Sequence, residues 1–173
     1  LYINDMYYGL YVSVEHVDDE FIKKNFEDDS GNLWKCLYPA DLSFKGNGNP
    51  ENYYPDEEGR PYELKTNEEE NDYYQLARLI YIINRISPES RIDSLEKIID
   101  IPSLLKYFSV NVLTGSWDDY WFLKNNYYLY HHPKEDLIYE YYLEHHPVAK
   151  EVAARLSTEH KRLYQDTQDL KDT

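Results

Sequence analysis

The sequence predicts an α+β fold in which a strand-rich N-terminal half is followed by a helical C-terminal half. Three observations lead there. "LYIND" and "GLYVSVEHV" alternate apolar and polar residues with period two, as strands with one solvated face do. "NDYYQLARLIYIINRI" instead places Leu76, Leu79, Ile80 and Ile83 at helical spacing. Between these patterns, from "ADLSF" to "EEEN", the chain is rich in Gly, Asn, Pro and Glu, which reads as a long excursion with at most one strand, "YELKT".

Taken in order, "LYIND" and "GLYVSVEHV" are expected to form an antiparallel hairpin around "MYYG". In "DDEFIKKNF", Asp18 or Asp19 can cap a short helix, because a carboxylate accepts the free amide protons of a first turn, while Phe21, Ile22 and Phe26 share one side. "GNLWKCLYP" reads as a further strand. Asn71 is the expected cap of the helix over "NDYYQLARLIYIINRI". A short helix, an Ile-Pro break and a second helix follow. Pro102 suits that helix's first turn, where its missing N–H would be unpaired anyway, and Gly115 can close it in the left-handed conformation. "NNYYLYHHPKEDLIYEYYL" reads as a hairpin turning at "HPKED", and "VAKEVAARLSTEHKRLYQDTQDL" as a closing helix. "YYLYHHP" and "YYLEHHP" are too short for a structural repeat.

A length of 173 residues suits one domain with a real core. Thirty-three acidic against 18 basic residues give a net charge of -15, which repels phosphate backbones and anionic membranes and favours a cationic partner. No apolar run approaches the roughly 20 residues that cross a bilayer. The single cysteine, Cys36, excludes an internal disulfide and reads as a small buried residue. Twenty tyrosines suit half-buried strands, though the same side chain also builds binding surfaces. The opening residues carry neither an initiator Met nor a charged-then-apolar leader, so we expect a fragment or a processed chain.

Chemistry points to "GSWDDYWFLKNNYYLY", which follows the expected helix end. A loop between rigid elements is a common seat for catalytic groups. A carboxylate there can take a proton from a hydroxyl while a nearby amide oxygen holds a hard cation. An Asp followed several residues later by Asn is the arrangement of phosphoryl-transferring kinases. Asp and Asn also populate loops because they form turns, and spacing alone does not separate the two.

Read together, "LYINDMYYGLYVSVEHVDDEFIKKNF", "GNLWK", "YELKTNEEENDYYQLARLIYIIN" and "GSWDDYWFLKNNYYLYHHP" resemble the spore coat protein H (CotH) family, in order over residues 1 to about 140. The resemblance implies an atypical protein-kinase-like fold binding ATP and magnesium between a strand-rich and a helical lobe. It implies phosphate transfer to serine on other proteins, with spore coat proteins as the best-known substrates, and hence a spore coat or cell-surface setting. Asp118 in "SWDDYW" resembles the family's catalytic aspartate, with Asp119 its variable neighbour. Asn126 resembles the asparagine that would bind magnesium, and Asn125 is the competing choice. Lys35 in "GNLWK" and Glu15 in "YVSVEH" sit at family-like positions whose kinase roles are phosphate contact and ion pairing.

The chain departs from the family after "LIY", where members continue into a stretch resembling "IPWDLDxxFG" that supplies a second metal-binding aspartate. Here "LIYE" runs into "YYLEHHPVAKEVAARL", and Glu144 is the acidic residue near the expected place. The expectation is one CotH-like kinase domain over 1–173, truncated upstream and after about residue 140. The strong acidity predicts a basic, serine-rich protein substrate. The alternatives are a noncatalytic protein- or carbohydrate-binding module on the same fold, or a structural coat protein. His131, His132, His145 and His146 could meet around zinc, but strand neighbours point to opposite faces, so a solvated hairpin end is the better expectation.

Overall fold

The computed structural model describes residues 2–10 and 15–141. Its first strands, β1 (Tyr2–Ile3) and β2 (Met6–Tyr7), form a small hairpin. The turn falls at Asn4 and Asp5 rather than at "MYYG", because both residues adopt the left-handed backbone (φ 49° and 64°) that a two-residue hairpin turn needs. Residues 15–18 carry no strand, and 11–14 lie outside the described residues.

Helix α1 (Asp19–Asn25) starts where Asp18 Oδ1 accepts the N–H groups of Glu20 and Phe21, both at 3.1 Å. Strand β3 (Asn32–Cys36) follows, then a single 3-10 turn (Pro50–Tyr53) and β4 (Tyr62–Leu64) within the long excursion. The helical half comprises α2 (Tyr74–Arg85), α3 (Pro88–Leu95) and α4 (Ile101–Thr114). Asn71 does not cap α2. It turns left-handed (φ 48°), and Asp72 Oδ1 instead takes the Tyr74 N–H at 2.8 Å, so the helix begins later than expected. Asp100, Pro102 and Gly115 bracket α4 as their types require, with Gly115 at φ 67°.

Strands β5 (Tyr127–His132) and β6 (Leu137–Tyr141) make the expected hairpin, and β5 pairs with β3 to give one antiparallel sheet in the order β4-β3-β5-β6. One face of that sheet presents Trp34, Cys36, Tyr62, Leu64, Tyr127 and Leu129 to α2 and α4, forming the main core. The other presents Leu33 and Tyr130 to Val17, Phe21 and Ile22. With both faces covered, the inner strands read as apolar runs rather than as a strict alternation.

The tyrosines explain how so long an excursion is held. Tyr62 Oη accepts the Leu42 N–H at 2.8 Å, and Tyr127 Oη donates to the Ala40 carbonyl at 2.6 Å. Tyr73 Oη donates to the Tyr62 carbonyl at 2.9 Å, and burial pushes its phenol pKa up to about 12, so it stays neutral. Each ring fills the core while its tip satisfies a buried backbone group, in the excursion for Tyr62 and Tyr127 and at the start of β4 for Tyr73. Cys36 is a buried thiol outside any disulfide, as expected.

Gly31 shows how tightly the start of β3 approaches β5. Its N–H donates to Tyr130 Oη at 3.2 Å, and a Cβ there would stand 1.9 Å from the His131 carbonyl oxygen. Backbone cannot yield as a flexible side chain does. Gly31→Ala is therefore expected to destabilise by at least the roughly 1–3 kcal/mol typical of overpacking, read as a lowered urea midpoint; an unchanged midpoint would refute this close approach.

The two histidines of β5 point apart. His131 Nε2 lies 3.1 Å from Asp136 Oδ1, and Arg78 of α2 holds the other oxygen at 2.9 Å. Arg78 first, then His131, keeps the Asp136 carboxyl below its ordinary pKa. His132 is buried among the rings of Phe26, Tyr130 and Tyr139. His145, His146 and the expected closing helix lie outside the described residues. Among the described residues, no cluster of His, Cys, Asp or Glu is suited to a metal, and no helix is long and apolar enough to cross a membrane.

Candidate functional site

Gly115 ends α4 by donating its N–H back to Asn111 and Val112, and Ser116 N–H follows to Asn111 O at 2.9 Å. The chain then folds over residues 116–126 before entering β5. Two adjacent aspartates in this loop have opposite fates. Asp118 is exposed, whereas Asp119 is 1% exposed.

Asp119 is the inner support of the loop. Its Oδ1 accepts the Phe122 N–H and its backbone carbonyl accepts the Asn125 N–H, both at 3.2 Å. Tyr107 of α4 adds a third tie, its hydroxyl accepting the Tyr120 N–H at 3.3 Å. Asp119 Oδ2 and both amide atoms of buried Asn111 have no hydrogen-bond partner among the described residues. Nothing in the surrounding residues accounts for these three atoms. Lys124 closes the loop by donating its ammonium to the carbonyls of Tyr120 and Trp121 at 2.9 and 3.0 Å.

Asp118 is gripped from one side by two amides. Asn125 Nδ2 donates to Oδ1 at 2.7 Å and Asn126 Nδ2 donates to Oδ2 at 2.6 Å. Neighbours in an extended chain point to opposite faces, so both could not ordinarily reach one carboxylate. The left-handed backbone at Lys124 and Asn126 (φ 58° and 49°) breaks that alternation. A carboxylate can only accept, so each asparagine must turn its NH2 group toward Asp118.

The remaining amide oxygens separate the two asparagines. Asn125 Oδ1 is occupied, accepting the Tyr38 N–H at 2.7 Å. Asn126 is exposed, and its one side-chain hydrogen bond among the described residues is the donation to Asp118, which leaves Oδ1 turned away from the carboxylate. A hard cation takes oxygen ligands, and of the two amide oxygens only that of Asn126 has no hydrogen-bond partner among the described residues. The residue near the family's second carboxylate, Glu144, lies outside the described residues.

Among the described residues, Lys35 and Glu15 form no ion pair with each other. Lys35 stands on β3 between Glu63 of β4 and Tyr128 of β5, two residues beyond Asn126. Glu15 instead pairs with Lys24 of α1 at 2.6 Å, because α1 turns that side chain toward the segment preceding it. The same loop exposes three rings: Trp117, Trp121 and Phe122 are each more than half exposed, and the Trp117 and Phe122 rings lie 6.4 Å apart.

Two features differ from the sequence expectation: Asn125 bonds Asp118 and the Tyr38 backbone at once, and Asp119 is buried. The paired asparagines were a signal for the first. Nothing local distinguished the second, since burial depends on where α4 and β5 place the loop.

Comparison with curated proteins returns no match. The profile described as CotH kinase protein matches residues 1–141, which include strands β1 to β6, helices α1 to α4 and the Asp118 loop. The chain therefore belongs to the CotH kinase protein family.

Proposed function

We propose that the chain is an ATP-dependent, magnesium-requiring protein kinase that phosphorylates serine hydroxyls of a basic protein substrate. The observation that carries this reading is the exposed Asp118 carboxylate held between the Asn125 and Asn126 amides at 2.7 and 2.6 Å. So held, Asp118 can accept the proton of a serine hydroxyl as its oxygen attacks the γ-phosphorus and the bond to the β-phosphate oxygen breaks. Asn126 Oδ1 would hold magnesium, which supplies charge neutralisation at the phosphates. Lys35 would contact phosphate, and Glu15 supports α1 through Lys24. The net charge of -15 draws basic acceptors to the site.

The exposed Trp117, Trp121 and Phe122 favour one second reading, a noncatalytic protein- or carbohydrate-binding module on the same fold. Labelled ATP separates the two. The full-length protein should transfer the terminal phosphate to a basic, serine-rich acceptor only with magnesium present. Thermal unfolding gives an independent measure, since a nucleotide at 100 times its Kd adds roughly 2.7 kcal/mol to stability. Asn126→Ala should lose most of the magnesium-dependent part of that shift. Absence of both transfer and shift in the wild-type protein would leave the binding module standing.

A further inference from the structure

We propose that Asn125 is a positioning residue for Asp118, linking the backbone after β3 to the carboxylate that takes the serine proton. The assignment rests on the kinase reading above. Three hydrogen bonds meet at Asn125 and run to three different places: Nδ2 to Asp118, the backbone N–H to the Asp119 carbonyl, and Oδ1 from the Tyr38 N–H. The last fixes the amide's orientation, because a backbone N–H can bond only the oxygen.

Tyr38 belongs to a segment that is itself pinned. Ala40 N–H donates to the Lys124 carbonyl at 3.0 Å, and Tyr127 Oη donates to the Ala40 carbonyl. The Tyr38–Ala40 backbone thus contacts residues on both sides of Asn125, and Asn125 carries that anchorage outward to an exposed side chain. The two asparagines divide the work. Asn126 keeps an outward oxygen, whereas both polar ends of Asn125 are spent inside the protein. Holding a reacting group in register is worth much in rate, and a displacement of about 1 Å can cost on the order of 10²-fold.

The test uses the full-length protein and two readouts. Asn125→Asp keeps the side chain's size and an acceptor for Tyr38, but replaces the donor facing Asp118 with a second carboxylate. It should lower kcat on the order of tenfold to a hundredfold, with the KM for ATP-magnesium and the melting temperature near wild type. If Asn125 merely holds the fold, Asn125→Asp will keep its kcat, and the proposal is overturned. The second readout needs no activity. In the NMR spectrum the Asn125 side-chain NH2 should be protected from exchange in wild type and become solvent-like in Asp118→Ala. An NH2 signal indifferent to Asp118→Ala overturns the proposal, even where Asn125→Asp fails to fold. Wild-type protein that transfers no phosphate, yet shows the NH2 coupled to Asp118, would overturn the kinase reading while upholding the tether.

Discussion

Asp118→Ala is expected to lower serine phosphorylation by roughly 10²-fold or more while changing stability by no more than about 0.5 kcal/mol. The two halves of that expectation have separate causes. The carboxylate is exposed and its partners are two side-chain amides that water can satisfy, so its loss leaves no buried group unpaired. Chemistry is affected because an alanine offers no lone pair to the attacking hydroxyl. Asp118→Asn refines the test, since the amide keeps the shape but is a far weaker base. Initial rates with labelled ATP, together with urea unfolding of the same samples, decide the matter. Transfer at the wild-type rate by either variant would remove Asp118 from the reaction.

Trp34→Ala should cost about 3–5 kcal/mol, a large part of the total stability of an ordinary domain. Trp34 is fully buried on β3, between Leu64 of β4 and Leu129 of β5, and its ring centroid lies 6.2 Å from that of Tyr73. Removing the indole empties the place where the sheet meets the helices. Activity should fall with stability, because β5 begins next to Asn126 and its pairing with β3 orients the site. Trp34→Phe should cost less, since the indole Nε1 has no hydrogen-bond partner among the described residues. Urea unfolding measures both. A loss below about 1 kcal/mol in the alanine variant would show that the interior collapses around the gap.

Much of the fold was legible in the sequence wherever a feature depends on residues within one turn of each other. An aspartate cap for α1 at Asp18 or Asp19, Pro102 and Gly115 at the ends of α4, and the β5-β6 turn all follow from short-range chemistry. Even locally, close rivals were misjudged. The first hairpin turns at Asn4 and Asp5 because these, too, tolerate positive φ, and Asp72 displaced Asn71 at the head of α2 because its carboxylate reaches the Tyr74 N–H.

What the sequence by itself determined was the kinds of elements, most of their ends, and the loop in which two aspartates and two asparagines occur. Which side chains meet was decided only in three dimensions. β3 pairs with β5 across some ninety residues, and no periodicity names a partner at that distance. The fates of Asp118 and Asp119 depend on how α4 and β5 hold the intervening loop, since neighbouring carboxylates have the same chemistry until one is buried. Asn125 and Asn126 differ for the same reason. Tyr38, brought in from after β3, occupies one amide oxygen and leaves the other facing outward, because a hydrogen bond depends on the position of its partner and not on residue type alone.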